Sequence, residues 1–109
     1  MYDVLIIGGG AAGLTAALYT GRKKLKTAIL TIDVGGQTLL TDNIENYPGV
    51  DPMQGANLMS KFREQAEKFG FTKRLESIPN IVITNPAGYL DFVALMASAK
   101  LVLTDSGGL

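Results

Sequence analysis

The residues best suited to chemistry are glycines near the start of the chain. Gly8, Gly10 and Gly13 fit the pattern G-x-G-x-x-G, with Ala11 and Ala12 between the last two. In such a loop the first glycine allows a tight turn, the second lets a pyrophosphate approach the backbone, and the third lets a helix pack closely on a strand. Backbone N–H groups at the start of the helix attract phosphate. The pattern predicts a nucleotide phosphate site, and a glycine turn that only packs strand on helix is the alternative.

An acidic residue suited to a ribose follows about twenty residues after this loop. Dinucleotide-binding loops are paired with a carboxylate at the end of the next strand, where it accepts hydrogen bonds from ribose hydroxyls. Here that strand ends in Thr31, Ile32 and Asp33, so the acid stands two positions late. We expect Asp33 to belong to the same site as the glycine loop.

Other catalytic chemistry is poorly represented. The chain contains no cysteine and no histidine, so its 109 residues offer no disulfide, no thiol redox pair, no imidazole base and no thiolate or imidazole metal ligand. Its ten basic and ten acidic residues balance, which predicts no binding to nucleic acid or to an anionic membrane. Asp91 and Asp105 are most simply a surface acid and a turn former. These absences predict a chain that is not an enzyme and holds no metal.

The apolar pattern predicts the elements that position the glycine loop. Residues 2–7 and 27–32 are runs rich in β-branched residues, typical of strands buried in a parallel sheet. Between them, leucines and alanines recur at helical spacing up to Arg22, which completes a β-α-β unit. Residues 33–54 show no sustained period, and a segment of that length in a compact domain is usually functional. We expect it to be an irregular loop that wraps a ligand.

Helix and strand continue to alternate in the second half of the chain. Residues 55–69 predict an amphipathic helix that stops at Gly70. The later predicted elements are a short helix at 72–78, a strand at 80–84, an apolar helix at 88–99 and a strand at 100–104. This order predicts an α/β fold, a small doubly wound (Rossmann- or flavodoxin-like) three-layer sandwich around a four-stranded parallel sheet. The rules for crossovers favour the strand order 2-1-3-4.

Length and composition indicate a single domain, residues 1–109, with a hydrophobic core. With 47% hydrophobic residues the chain is too apolar to be disordered. The opening apolar run at residues 4–7 is far shorter than the roughly 18 residues that a membrane span requires. We therefore expect a cytoplasmic chain with no membrane partner.

Residues 1–70 closely resemble the amino-terminal segment of thioredoxin reductases and related flavoprotein disulfide reductases. The stretches that carry the resemblance are YDVLIIGGGAAGLTAALYTGR, GGQTLLTDNIENYPG and FREQAEKFG. The resemblance implies that the glycine loop binds the pyrophosphate of FAD. It also implies that Gly35, Gly36 and Gln37, together with the turn that begins at Asn46, line the flavin.

Residues 73–109 are instead similar to part of a UDP-N-acetylglucosamine 2-epimerase. The stretches KRLESIPNIVIT and GYLDFVALMASAKLVLTDSGG carry this second resemblance, which implies that Ser106 and Gly107 lie at the UDP phosphates. Two unrelated families in one chain predict an engineered or recombined chimera, with a reductase-like half at 1–71 and an epimerase-like half at 72–109. A natural truncated relative is the alternative.

Three functions are compatible with this sequence. The first is a folded chimera with no selected catalytic activity and no required cofactor. The second is a module that binds FAD or another ADP-type nucleotide weakly at residues 8–13, with residues 84–86 and 106–108 among its walls. The third is a scaffold that forms a homodimer through an open strand edge or an exposed apolar face.

Overall fold

A computed structural model describes residues 2–71, 81–84 and 97–104 of the chain. Its elements are β1 (Val4–Gly9), α1 (Ala11–Arg22), β2 (Thr27–Val34), a 3-10 helix (Gly36–Leu40), α2 (Gly55–Phe71), β3 (Ile81–Thr84) and β4 (Leu101–Thr104). The four predicted strands and the first two predicted helices are confirmed. The helix predicted at 72–78, and the one predicted at 88–99 up to residue 96, lie outside the described residues. None of the described helices is long and apolar enough to cross a membrane.

The strands form one parallel sheet in the order β3-β2-β1-β4, so the predicted order 2-1-3-4 is wrong. Helices α1 and α2 pack against each other on the same face of the sheet. Two right-handed crossovers on one face carry the chain in one direction, from β1 to β2 and on to β3. The direction therefore reverses between β3 and β4, and the switch point lies between β1 and β4.

At one edge of the described sheet lies β4, where Leu101 is 51% exposed. An open edge of this kind leaves backbone groups available for pairing with another chain. Association of two chains through it stays a prediction.

The central strand β1 is buried on both faces, as a doubly wound sheet requires. Val4 and Ile6 face the two helices, whereas Leu5 faces the opposite side together with Ala28 and Leu30. The buried residues on the helix side are Val4, Ile6, Leu14, Ala17, Ile29, Leu58, Met59 and Ala66. Burial on both sides explains why the strand reads as an uninterrupted apolar run in the sequence.

The segment between β2 and α2, predicted to be irregular, is ordered by hydrogen bonds of its own. Ile44 and Met53 form an antiparallel bridge with N–H···O distances of 2.7 and 3.1 Å. The Gly55 N–H donates to the Thr41 carbonyl oxygen at 2.9 Å. The 3-10 helix at Gly36–Leu40 is therefore anchored against the start of α2.

Helix α2 continues through Gly70 to Phe71, beyond the predicted stop. A glycine inside a helix costs about 1 kcal/mol relative to alanine, which packing along the helix readily offsets. In the last turn of α2 the Phe69 ring centre lies 5.3 Å from the Arg22 guanidinium, and this contact joins the ends of α1 and α2.

Asp3 ties together the amino-terminal ends of three strands. Its Oδ2 accepts a hydrogen bond from the Lys26 N–H at 2.9 Å, and its Oδ1 lies 3.0 Å from the Lys100 Nζ. Its carbonyl oxygen accepts the Leu101 N–H at 3.0 Å. The pKa of the Asp3 carboxyl lies below its ordinary value. The main cause is the hydrogen bond from the Lys26 backbone amide, and the second is the hydrogen bond from the Lys100 side chain.

The lowered pKa of Asp3 predicts a loss of stability in acid. A carboxylate with a depressed folded-state pKa stabilises the fold above its unfolded pKa, and the stabilisation disappears as the pH falls through the folded pKa. We expect the free energy of unfolding to decline below about pH 4. Asp3→Asn should remove part of that decline in urea titrations at a series of pH values. Glu64→Gln, at an exposed position of α2, should keep the decline in full. Identical pH profiles for Asp3→Asn and the parent chain would contradict the assignment.

Candidate functional site

A single residue separates the first strand from the first helix. β1 ends at Gly9, Gly10 follows, and α1 begins at Ala11. Gly8 has a φ of +102°, in the left-handed region that favours glycine. Gly13 is buried in the first turn of α1, where an added Cβ would stand 2.0 Å from the Gly8 carbonyl oxygen. Helix and strand therefore approach as closely as the glycine pattern predicts.

The amino-terminal end of α1 has the properties of an anion site. Gly10 is the N-cap residue and provides no side-chain cap, and the first turn contains no acidic residue. Amide groups in the first turn of a helix have no acceptors within the helix, and the helix dipole adds partial positive charge there. Ala11 and Ala12 occupy this turn, and Ala12 is exposed. This end of the helix can therefore bind phosphate oxygens.

A second pair of glycines lies directly against the first loop. The Gly35 N–H donates to the Gly9 carbonyl oxygen at 2.8 Å. A Cβ on Gly36 would lie 3.4 Å from the Gly10 Cα, in van der Waals contact with the loop. Gly35 and Gly36 have φ values of +128° and +57°, which glycine adopts without strain. The structure thus brings together two segments that the sequence analysis assigned to one site.

Asp33 lies exposed near the end of β2, beside both glycine segments. Its Oδ1 accepts a hydrogen bond from the Gly36 N–H at 3.0 Å, which fixes the carboxylate next to the second pair of glycines, Gly35 and Gly36. The predicted neighbourhood of Asp33 and the loop is therefore present.

Thr31 is a part of this region that the sequence analysis did not include. Its hydroxyl accepts the Gly9 N–H at 3.0 Å and donates to the Asp33 carbonyl oxygen. The one signal in the sequence is a polar residue within an apolar strand, and threonine is common in strands for packing reasons alone.

The remaining residues predicted to line a flavin are exposed. Gln37 lies in the 3-10 helix, directly after Gly36. No hydrogen bond in the described part of the chain joins Asn46 to the glycine loop. The neighbouring Tyr47 packs edge-to-face on Phe62 of α2, with ring centres 5.8 Å apart. The two rings border a cavity of about 100 Å³ on the flank of α1 rather than at its amino-terminal end.

The strand order changes which segments adjoin the loop. Because β4 pairs with β1, the carboxyl end of β4 lies at the same edge of the sheet as the glycine loop. Thr84 ends β3, which is separated from β1 by β2. The segment 84–86, which was predicted to line the nucleotide site, therefore starts at a strand that does not adjoin the glycine loop. Ser106 and Gly107, which follow β4 in the sequence, lie outside the described residues.

Comparisons with known proteins identify relatives along almost the whole chain. Residues 2–89 match the model of the family "Pyridine nucleotide-disulphide oxidoreductase". The thioredoxin reductases of Peptoclostridium acidaminophilum and Peptoclostridium litorale are 43% and 38% identical over 109 residues, and each alignment covers 98% of this chain and 35% of the relative. The solved structure of thioredoxin reductase from Streptococcus pyogenes matches with a TM-score of 0.67 and 43% identity over 80% of this chain and 26% of that one.

These alignments bear on the two predicted halves. Both Peptoclostridium reductases match across the predicted junction near residue 72, since each covers 98% of the chain. The resemblance of the first half to thioredoxin reductases is confirmed. The comparisons give no support for an epimerase-like second half, a chimera or an engineered origin.

The prediction that the chain is not an enzyme is wrong. Relatives and solved structures that match it include thioredoxin reductases, which are enzymes. The prediction rested on missing cysteines and histidines, and that absence describes these 109 residues alone. The chain spans only 35% of the length of the two Peptoclostridium relatives, so residue types missing here are no evidence about a reductase as a whole.

Proposed function

Since the chain belongs to the pyridine nucleotide-disulphide oxidoreductase family, we propose that it is the FAD-binding segment of a thioredoxin reductase-type enzyme. The proposal places the pyrophosphate of FAD at the amino-terminal end of α1. The reductase activity is part of the proposal, because the chain spans 35% of its Peptoclostridium relatives. When bound, FAD would supply the electron-transfer chemistry that no side chain of these residues can supply.

One observation carries this proposal above the others. The amino-terminal end of α1 has neither a side-chain cap nor an acidic residue, and two glycine segments surround it. An ordinary helix start attracts a capping side chain or an acid, because its amides need acceptors. A helix start that lacks both, with the backbone of Gly35 and Gly36 lying against the loop before it, fits a phosphate as its acceptor.

The residues divide into three roles in the proposed complex. Amides of Ala11 and Ala12 donate to the pyrophosphate, and Gly10 lets it approach. Asp33 accepts hydrogen bonds from the ribose hydroxyls. The lining of the flavin is assigned to Gly35–Gly36 and the 3-10 helix with Gln37, which begins where Gly36 meets Gly10.

Gly10→Val tests the phosphate site without preventing the fold. Gly10 has φ −78° and ψ −166°, an extended conformation that valine adopts readily, so we expect the variant to fold. The isopropyl group would occupy the space that the pyrophosphate needs. We expect the affinities for FAD and for ADP each to fall at least about tenfold, as judged by quenching of flavin fluorescence and by competition with ADP.

A matched control adds similar bulk elsewhere. Ala56→Val lies on the exposed side of the first turn of α2 and should leave both affinities unchanged. Unchanged FAD and ADP affinities in Gly10→Val would remove the glycine loop from the proposed site.

A further inference from the structure

The pairing of β1 with β2 is interrupted where the glycine loop begins. Ile7 opposes Leu30, and the next pair is Gly9 opposite Val34. Two steps along β1 are thus matched by four steps along β2, which leaves two extra residues in β2. Extra residues of this kind form a bulge, which bends the strand and redirects the side chains that follow. Ile32, within the bulge, is accordingly 84% exposed.

The side chain of Thr31 closes this bulge. Thr31 is only 8% exposed, and its Oγ1 accepts the buried Gly9 N–H at 3.0 Å while its hydroxyl donates to the Asp33 carbonyl oxygen. A Cβ on Gly9 would lie 2.9 Å from the Thr31 Cγ2, so Gly9 must be glycine for this contact to form. The contact explains a fourth glycine, Gly9, at a position where the pattern G-x-G-x-x-G allows any residue.

The number of extra residues in the bulge equals the number of positions by which Asp33 lies beyond the expected position of the acid. A regular ladder continuing from Ile7–Leu30 would put residue 31 immediately before the partner of Gly9. In the structure the residue immediately before the partner of Gly9 is Asp33, because that partner is Val34. The two extra residues of the bulge therefore offset the two positions by which Asp33 is late.

We propose that Thr31 is a positioning residue, whose hydroxyl holds the bulge closed and so places the Asp33 carboxylate at the ribose of a bound nucleoside diphosphate. The inference rests on the proposed function, because it concerns the same site. It adds a determinant of specificity: the site distinguishes a ribose with free hydroxyls from one without them, and this distinction depends on a residue that does not touch the ligand.

The test compares ADP with 2′,3′-dideoxy-ADP, which lacks both ribose hydroxyls, by isothermal titration. The parent chain should bind ADP about tenfold more tightly, as expected for hydrogen bonds to a charged acceptor. Thr31→Val keeps the shape of the side chain but removes the hydroxyl. In this variant the ratio of the affinity for ADP to that for 2′,3′-dideoxy-ADP should fall close to one. Thr31→Ser keeps the hydroxyl and should retain the preference. The Gly9 amide should exchange its proton faster in Thr31→Val than in Thr31→Ser.

A second variant decides the question even if Thr31→Val does not fold. Deletion of Thr31 and Ile32 removes the two extra residues and leaves Asp33 immediately before the partner of Gly9 in a regular ladder. This deletion should keep the preference for ADP. A preference retained in Thr31→Val, or lost in the deletion variant, would overturn the inference.

Failure of the inference can be told apart from failure of the proposed function. A parent chain that binds neither ADP nor FAD would refute both. A parent chain that binds ADP and its dideoxy analogue equally would refute only the role of Thr31 and Asp33 and leave the pyrophosphate site in place.

Discussion

Replacing Gly13 with alanine is expected to destabilise the fold by about 3 kcal/mol or more and to abolish nucleotide binding. The new Cβ would stand 2.0 Å from the Gly8 carbonyl oxygen and 3.0 Å from its carbonyl carbon. Both neighbours are backbone atoms, so the clash cannot be relieved by rotation of a side chain and requires the backbone to move. Alanine gains only about 1 kcal/mol in helix propensity over glycine, and the clash outweighs that gain.

The damage from Gly13→Ala would reach the site directly. To relieve the contact, α1 must move away from the end of β1, and the helix start that we assign to the pyrophosphate moves with it. Urea unfolding measures the stability, and titration with FAD measures the binding. Thr15→Ala, at an exposed position one turn from the loop, should change the free energy of unfolding by no more than about 0.5 kcal/mol. Equal stability of Gly13→Ala and the parent chain would show that the helix and strand are not held so close.

Gly55→Ala is expected to affect the flavin end of the site and to spare the phosphate end. A Cβ on Gly55 would lie 1.8 Å from the Thr38 carbonyl oxygen and 3.1 Å from the Thr41 carbonyl oxygen. The 3-10 helix that contains Gln37 and Thr38 must therefore shift away from α2. Because ADP shares only the adenosine and the phosphates with FAD, we expect FAD affinity to fall about tenfold and ADP affinity to change little.

Equilibrium dialysis with each nucleotide separates the two effects of Gly55→Ala. Asn57→Ala lies exposed in the same turn of α2 and serves as the matched control, with both affinities expected at the parent level. An equal loss of FAD and ADP affinity in Gly55→Ala would contradict the division of the site into a phosphate end and a flavin end.

The sequence was informative wherever local chemistry decides the structure. The apolar run of β1, the helical spacing of α1 and the close approach at Gly13 follow from steric and hydrophobic rules that act over a few residues. The strand order does not follow from such rules, because it depends on which face of the sheet α2 packs against. That choice is made by contacts with α1 that a single sequence does not display.

The site could be predicted only in part, because part of it depends on contacts between elements that are distant in the sequence. The neighbourhood of the glycine loop and Asp33 could be read from spacing, since both lie at the carboxyl ends of adjacent strands, whereas Gly35 was assigned from the resemblance to thioredoxin reductases. The contribution of Thr31 could not, because it depends on a shift of pairing between β1 and β2. The prediction about catalysis failed in a different way, because the absence of a residue type from one segment is no evidence about a longer protein.

Two-dimensional ¹⁵N–¹H NMR of the chain during titration with FAD tests the central claim most directly, because it reports on each backbone amide separately. We expect saturable chemical-shift changes that are largest for the amides of Gly10, Ala11 and Ala12. Smaller changes are expected for the amides of the adjacent Gly35 and Gly36. Amides of Phe62 and Gln65, on the α2 side of the cavity, should remain unchanged. A saturable response centred on that cavity, or no response up to about 1 mM FAD, would contradict the assignment of the helix start as the pyrophosphate site.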